Sequence, residues 1–161
     1  MPNSLDNAYL SLLRKLETRK HKVYVVNGSP ASGKTTFVHN HKKHGDIVFD
    51  FDRICAALGG TDELYEDHKP YLDIALAVRE TVYDMISRRQ GSWNNAYVIT
   101  AQKDKNKVDK LVRYLGAELV YIDSTKERCI KNAFDDPRRQ SRIDEQIKLI
   151  NEYFGSSNEK E

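Results

Sequence analysis

Four short stretches of the chain run apolar with few charges, and the intervals between them carry apolar residues at helical spacing. Val23–Asn27 (VYVVN), Ile47–Phe51 (IVFDF), Ala96–Ala101 (AYVITA) and Glu118–Ile122 (ELVYI) are β-branched or aromatic, as strands covered on both faces require. Leu5, Tyr9, Leu12, Leu13 and Leu16 predict an N-terminal helix within residues 1–22. Leu72, Ala75, Leu76, Val82, Tyr83 and Ile86 predict a long helix within the segment 59–90. Val108, Leu111, Val112 and Leu115 predict another, with Gly116 where a C-terminal cap belongs. Ser124 followed by Glu127 has the form of a capping box. Ile143, Ile147, Ile150 and Phe154 line a last helix. Such alternation predicts an α/β fold, a parallel sheet of about four to five strands with helices on both faces. Ligands of such sheets bind beyond the carboxyl ends of the strands. Residues 1–161 are expected to form one domain with a flexible tail at 155–161.

Composition adds mainly exclusions. The 161 residues are 39% hydrophobic and 31% charged, ordinary for a globular chain. No apolar run approaches membrane-spanning length and none near the N-terminus has signal-peptide form, so the expectation is a cytoplasmic protein without membrane association. Cys55 and Cys129 are too few for a disulfide scaffold or a cysteine zinc site. The 26 basic and 24 acidic residues nearly balance, so any anion site must come from local clustering. His39, His41 and His44 lack the further ligands of a metal site and suit a solvated helix end.

The strongest chemical signal follows the first strand. Gly28-Ser29-Pro30-Ala31-Ser32-Gly33-Lys34-Thr35 matches G-x-x-x-x-G-K-[ST] in full, and helix-compatible residues begin at Thr36. The glycines let backbone N–H groups turn inward around phosphate oxygens. Lys34 can reach the β- and γ-phosphates, and the Thr35 hydroxyl can ligate Mg²⁺. Gly28, Ser29, Ala31, Ser32, Gly33, Lys34, Thr35 and Thr36 are therefore the expected contacts of ATP or another nucleoside triphosphate.

Triphosphate binding leaves transfer, hydrolysis and switching open. Asn106-Lys107-Val108-Asp109 has the spacing of a guanine motif, but it lies in a charged segment entering a helix rather than at the end of a buried strand. Two features favour a kinase. Asp50 and Asp52, which strand alternation puts on one face with Val48 behind them, could accept a proton from an attacking hydroxyl or hold the water shell of Mg²⁺. Asp52 could equally cap a helix over Arg53–Leu58. Six basic residues then lie between Lys126 and Arg142, and the stretch 134–142 breaks its helical pattern at Pro137. That stretch is expected to be a mobile lid whose Arg138, Arg139 and Arg142 neutralise charge on the transferring group.

The phosphate loop, the aspartate ending to strand two, a Tyr- and Lys-bearing helical stretch (Leu64 to Ile86), an apolar third strand and an arginine lid resemble the phage polynucleotide 5′-kinase group of P-loop kinases. The resemblance runs from about Val23 to Phe154, and its specific part is the phosphate loop. It implies a sheet of adenylate-kinase type, Asp52 as general base, and Arg138, Arg139 and Arg142 as lid arginines. The family's acceptor-phosphate arginine, three residues beyond the base, falls on Cys55, with Arg53 the nearest substitute. The third strand ends Thr100-Ala101-Gln102 without a carboxylate, which leaves Asp50 for the metal shell. The acceptor side, with Asp52, Arg53 and Arg79 as substrate contacts, is expected within 59–90. Tyr65, His68, Lys69 and Tyr71, together with Lys42 and Lys43, could serve a nucleic-acid 5′-hydroxyl. A nucleotide, a nucleoside or a small alcohol would fit as well. A small-molecule or nucleotide-sugar kinase, or a nucleoside triphosphatase without an acceptor, remains the alternative.

Overall fold

The computed structural model describes residues 6–12 and 21–155. Residues 6–12 are helical (α1) and exposed; the rest of the expected N-terminal helix face, and the tail from residue 156, lie outside the described residues. Four strands follow, β1 (Val23–Asn27), β2 (Ile47–Phe49), β3 (Ala96–Thr100) and β4 (Glu118–Tyr121). They form a parallel sheet in the order β2-β3-β1-β4. The helices are α2 (Lys34–His41), α3 (Phe51–Gly59), α4 (Leu72–Ser87), α5 (Lys105–Leu115), α6 (Lys126–Asp135) and α7 (Ile143–Phe154), with 3₁₀ turns at Lys69–Tyr71 and Pro137–Arg142.

Strand alternation divides the core between two faces. Val23, Val25, Phe49, Ala96 and Val98 point to one face, where Ile54, Val82, Tyr83, Ile86, Leu111, Val112 and Leu115 of α3, α4 and α5 cover them. Val26 and Tyr97 point to the other, against Phe37 and Val38 of α2. A third cluster, Cys129, Ala133 and Ile150, joins α6 to α7 and rests on Ala31 of the phosphate loop. Cys55 and Cys129 are both buried and unpaired. Burying each such aliphatic side chain contributes about 1.5–3 kcal/mol before entropy is counted. Among the described residues no helix is long and apolar enough to cross a membrane.

The order of the strands explains where a ligand would sit. The chain leaving β1 crosses one face through α2 to reach β2, while the chain leaving β3 crosses the other through α5 to reach β4. Adjacent strands whose connections diverge in this way leave a crevice at their carboxyl ends. The loops beyond Asn27 and Thr100 border it.

Several expectations change. β2 ends at Phe49, because Asp50 caps α3 by accepting a hydrogen bond from the Asp52 backbone N–H at 3.1 Å. Asp50 and Asp52 therefore share no strand face; the turn into α3 sets their positions. The cap of α6 is Thr125, whose side chain accepts from the Arg128 N–H at 3.2 Å, in place of Ser124. β4 is a largely exposed edge with a single neighbour, since an apolar run does not tell an edge strand from a central one. Within the stretch expected to be a mobile lid, Asp136 caps a turn, Pro137–Arg142, by accepting from the Arg138 N–H. Asn106–Asp109 lies within the first turns of α5, with Val108 buried.

Candidate active site

A cleft of about 780 Å³ opens at the carboxyl ends of β1 and β3. On its floor the phosphate loop is tied down from several directions. The Gly28 N–H donates to Thr100 O at 3.3 Å, and Asn27 Nδ2 donates to Gln102 O at 3.0 Å, which joins the loops after β1 and β3. Asn132 of α6 donates to Ala31 O at 2.9 Å. Gly28 lies so close to β4 that a Cβ there would stand 2.8 Å from Ile122 O. Ala31 and Gly33 take left-handed φ values of 60° and 101°, the backbone form of an anion-holding concavity. Gly33 begins α2 without a side-chain cap, so the first N–H groups of that helix keep their anion-binding capacity.

Lys34 is 8% exposed and donates to Gly28 O at 2.8 Å and Ser29 O at 2.6 Å. Burial, and then the nearby Arg139 cation, lower its ammonium from 10.5 to about 8. Its partners are neutral carbonyls, so an incoming anion would stabilise the charge that burial disfavours. The Ser32 hydroxyl is buried in the same loop without a hydrogen-bond partner among the described residues. An orphan hydroxyl, an under-compensated ammonium and uncapped helix N–H groups fit a polyphosphate. Ala31, Ser32, Gly33, Lys34, Thr35 and Thr36 line the cleft; Gly28 and Ser29 lie behind that lining.

Asp50 and Asp52 face the loop from the start of α3, and both line the cleft. Asp50 is nearly buried and already engaged: beside its cap bond, Oδ2 stands 3.8 Å from Arg53 Nε. Asp52 is 46% exposed along its side chain. Partial enclosure by the cleft walls, and then the neighbouring Asp50 charge, raise its carboxyl above the ordinary range. Asp52 Oδ1 lies 3.4 Å from His68 Nδ1, a proximity that sequence reasoning missed because it joins two elements 16 positions apart.

A cation could draw on Thr35 and Asp50, which both line the cleft. Among the described residues no cluster of three or more His, Cys, Asp or Glu has metal-holding geometry. Mg²⁺ tolerates so few protein ligands because it keeps several waters and binds phosphate oxygens. His39, His41 and His44 are exposed at the end of α2 and beyond it.

Over the loop stands the Pro137–Arg142 turn. Arg139 is 9% exposed and contacts Asp136, Gln146 and Tyr65; its Nη2 donates to the Tyr65 hydroxyl at 2.7 Å. Arg138 forms two side-chain hydrogen bonds to Asp136, at 3.0 and 2.9 Å. Partial burial works to raise the Asp136 carboxyl, but the Arg138 hydrogen bonds and charge outweigh it and hold that group below its ordinary range. Arg138 and Arg139 line the cleft. Arg142 does not: it pairs with Glu145 outside the lining.

Of the expected acceptor contacts, Arg79 lines the cleft, its guanidinium 5.9 Å from the Phe51 ring and 6.0 Å from the Tyr83 ring. Arg53 lies outside the lining, paired with Asp50. Cys55 is wholly buried, and burial followed by the Asp52 charge pushes its thiol up, so that position offers an acceptor no cation. Asn132, Asp136, Gln146 and Lys103 also line the cleft without having been read as site residues. Only Asp136 left a legible signal, an Asp-Pro pair in N-cap position before two arginines.

No protein-family model matches the chain, and no curated protein does. Solved structures do. A chain in the structure of a Pnkp1/Rnl/Hen1 RNA repair complex aligns with a TM-score of 0.56 at 13% identity, over 84% of this chain and 46% of that one. This chain thus spans under half the length of that relative, and the likeness is one of fold. The Deinococcus radiodurans tunicamycin resistance protein aligns at 13% identity over 84% of this chain and 83% of its own, with a TM-score of 0.39.

Proposed function

We propose that the protein is a P-loop phosphotransferase that moves the γ-phosphate of ATP, or a related nucleoside triphosphate, to an acceptor hydroxyl or phosphate. The observation that carries this reading is the meeting of Lys34, Asp52, Arg138 and Arg139, from three separate segments, around one cleft. A triphosphate-hydrolysing switch would not need an available carboxylate beside the acceptor wall. A nucleic-acid 5′-hydroxyl or a nucleotide suits the aromatic and cationic wall of Phe51, Tyr65, Arg79 and Tyr83. The fold likeness to a chain of an RNA repair complex supports a nucleic-acid acceptor without specifying one.

In this mechanism the loop N–H groups hold the triphosphate, and Lys34 draws charge from its β- and γ-oxygens. Mg²⁺, when bound near Thr35 and Asp50, supplies positive charge that the chain itself does not place there. Asp52 orients the acceptor hydroxyl and accepts its proton. Its raised carboxyl value makes it a better base than an exposed aspartate. Arg138 and Arg139 close the roof, which stabilises charge on the transferring group and limits hydrolysis by water.

The test is incubation with γ-labelled ATP and Mg²⁺ against 5′-hydroxyl DNA and RNA oligonucleotides, nucleoside monophosphates, nucleosides and nucleotide sugars. Label on an oligonucleotide end or a nucleotide is the expected result. Label on another small molecule would keep the mechanism and change the acceptor. Free phosphate, released at a rate no acceptor alters, would overturn the transferase reading.

A further inference from the structure

Asp52 can act as a base only if one carboxylate oxygen points steadily at the acceptor. Asp50 accepts the Asp52 backbone N–H, which fixes the main chain and leaves the side chain free to turn. Among the described residues the nearest cationic or donor side chain to that carboxylate is His68, with Nδ1 at 3.4 Å from Oδ1. His68 is itself held in place. Its carbonyl accepts the Tyr71 N–H at 2.9 Å, at the start of the Lys69–Tyr71 turn, and the neighbouring Lys69 N–H donates to Asp67 Oδ1. The Tyr71 ring seats that turn on the end of α3, where a Cβ on Gly59 would stand 2.8 Å from it.

The other ring nitrogen, Nε2, is buried with no hydrogen-bond partner among the described residues. A bare lone pair is cheaper to bury unpartnered than an N–H dipole or a charge. The Nδ1–H tautomer leaves only a lone pair on Nε2 and turns its proton toward the carboxylate. Besides His68, the charged groups acting on Asp52 are Asp50 at the cap of its helix, Arg139 of the Pro137–Arg142 turn and Lys34 of the loop.

From this geometry we infer that His68 is a positioning residue. It is placed to donate from Nδ1 to Asp52 Oδ1 across the 3.4 Å between them, which pins the carboxylate rotamer and leaves Oδ2 to receive the acceptor proton. The inference rests on the phosphotransferase reading and extends it to the acceptor-side segment: the stretch that borders the acceptor would also orient the base, so the base is aligned only when that stretch is seated.

The experiment compares wild type, His68→Ala, His68→Asn, Asp52→Asn and the His68→Ala/Asp52→Asn double variant, using the acceptor that the panel above labels. Thermal unfolding confirms that each is folded. A 1 Å misplacement of a reacting group costs on the order of 10²-fold. His68→Ala is expected to lower kcat roughly 10- to 100-fold with KM for ATP unchanged. Asn places an amide N–H near the Nδ1 position, so His68→Asn is expected to recover most of that loss. The double variant should be no slower than Asp52→Asn, since a positioner has nothing to orient once the base is gone. In ¹⁵N ring spectra of the wild type, His68 should be an Nδ1–H tautomer, with a shift that moves in Asp52→Asn.

A His68→Ala kcat within twofold of wild type, His68→Asn as slow as His68→Ala, multiplying losses in the double variant, or an Nε2–H tautomer would each overturn the role of His68 and leave the phosphotransferase reading standing. Absence of transfer by the wild type to every acceptor would overturn that reading, and the role with it.

Discussion

Two cations are buried within the same cleft, one in the phosphate loop and one in the lid turn, and their surroundings differ. Lys34 has only backbone carbonyls for partners, and its charge is disfavoured by burial. Arg139 has Asp136, Gln146 and Tyr65, so its charge is paired in part and its donors are largely used. The Lys34 ammonium is met by carbonyls alone, whereas the Arg139 guanidinium is met by a carboxylate, an amide and a hydroxyl. Binding energy for a triphosphate should therefore come mainly from the loop. The lid turn should contribute structure first, and charge only through the reach that Arg138 and Arg139 keep into the cleft.

Exchanging these cations for neutral residues is the largest break to that contrast. Lys34→Ala is expected to reduce phosphoryl transfer by at least roughly 10²–10³-fold while leaving thermal stability at or above wild type, because an under-compensated buried charge is removed. Equal losses of activity and folding would erase the distinction. Arg139→Ala should do the reverse in stability: it leaves the Asp136 carboxylate and Gln146 short of a partner, and costs about 3 kcal/mol in urea unfolding. A loss below about 1 kcal/mol would mean that the lid turn is held by something else.

Asp136→Asn sharpens the same point, with an expected loss of about 1–3 kcal/mol. Its pH dependence has a definite sign. The folded carboxyl lies below its ordinary value of 3.8, so its contribution is present above that value and is lost as pH falls through the lower folded value. Acid unfolding of Asp136→Asn should accordingly be less steep below about pH 4 than that of wild type.

The smallest expected effect concerns Lys34. Its folded value of about 8 lies below 10.5, so ionisation opposes folding, and stability should rise with pH between those two values. An anion in the loop would draw the proton back. Calorimetry of a non-hydrolysable ATP analogue at pH 8.5, in two buffers of different ionisation enthalpy, should show proton uptake that Lys34→Ala abolishes. Equal heats in both buffers for the wild type would place the Lys34 proton elsewhere.

The motif Gly28–Thr35 was legible in the chain because consecutive residues carry its pattern, and the left-handed φ of Ala31 and Gly33 sets its backbone shape locally. The strand runs and the last helix were legible for a similar reason, since alternation and 3.6-residue spacing are local consequences of burial. Asp50 and Asp52 were legible as a pair but not in their separate situations. Those depend on where β2 gives way to α3, a boundary decided when the Asp50 side chain takes the Asp52 N–H. Arg142 was grouped with Arg138 and Arg139 by proximity in sequence, and the structure separates it, because the 3₁₀ turn directs it toward Glu145. What only the tertiary structure decided is which distant groups meet: His68 with Asp52, Tyr65 with Arg139 across 74 positions, and Asn132 with Ala31 across 101. The physical reason is that a motif read along the chain reports the conformation of its own backbone. A charge, by contrast, takes its character from burial and from whatever partner the fold carries to it.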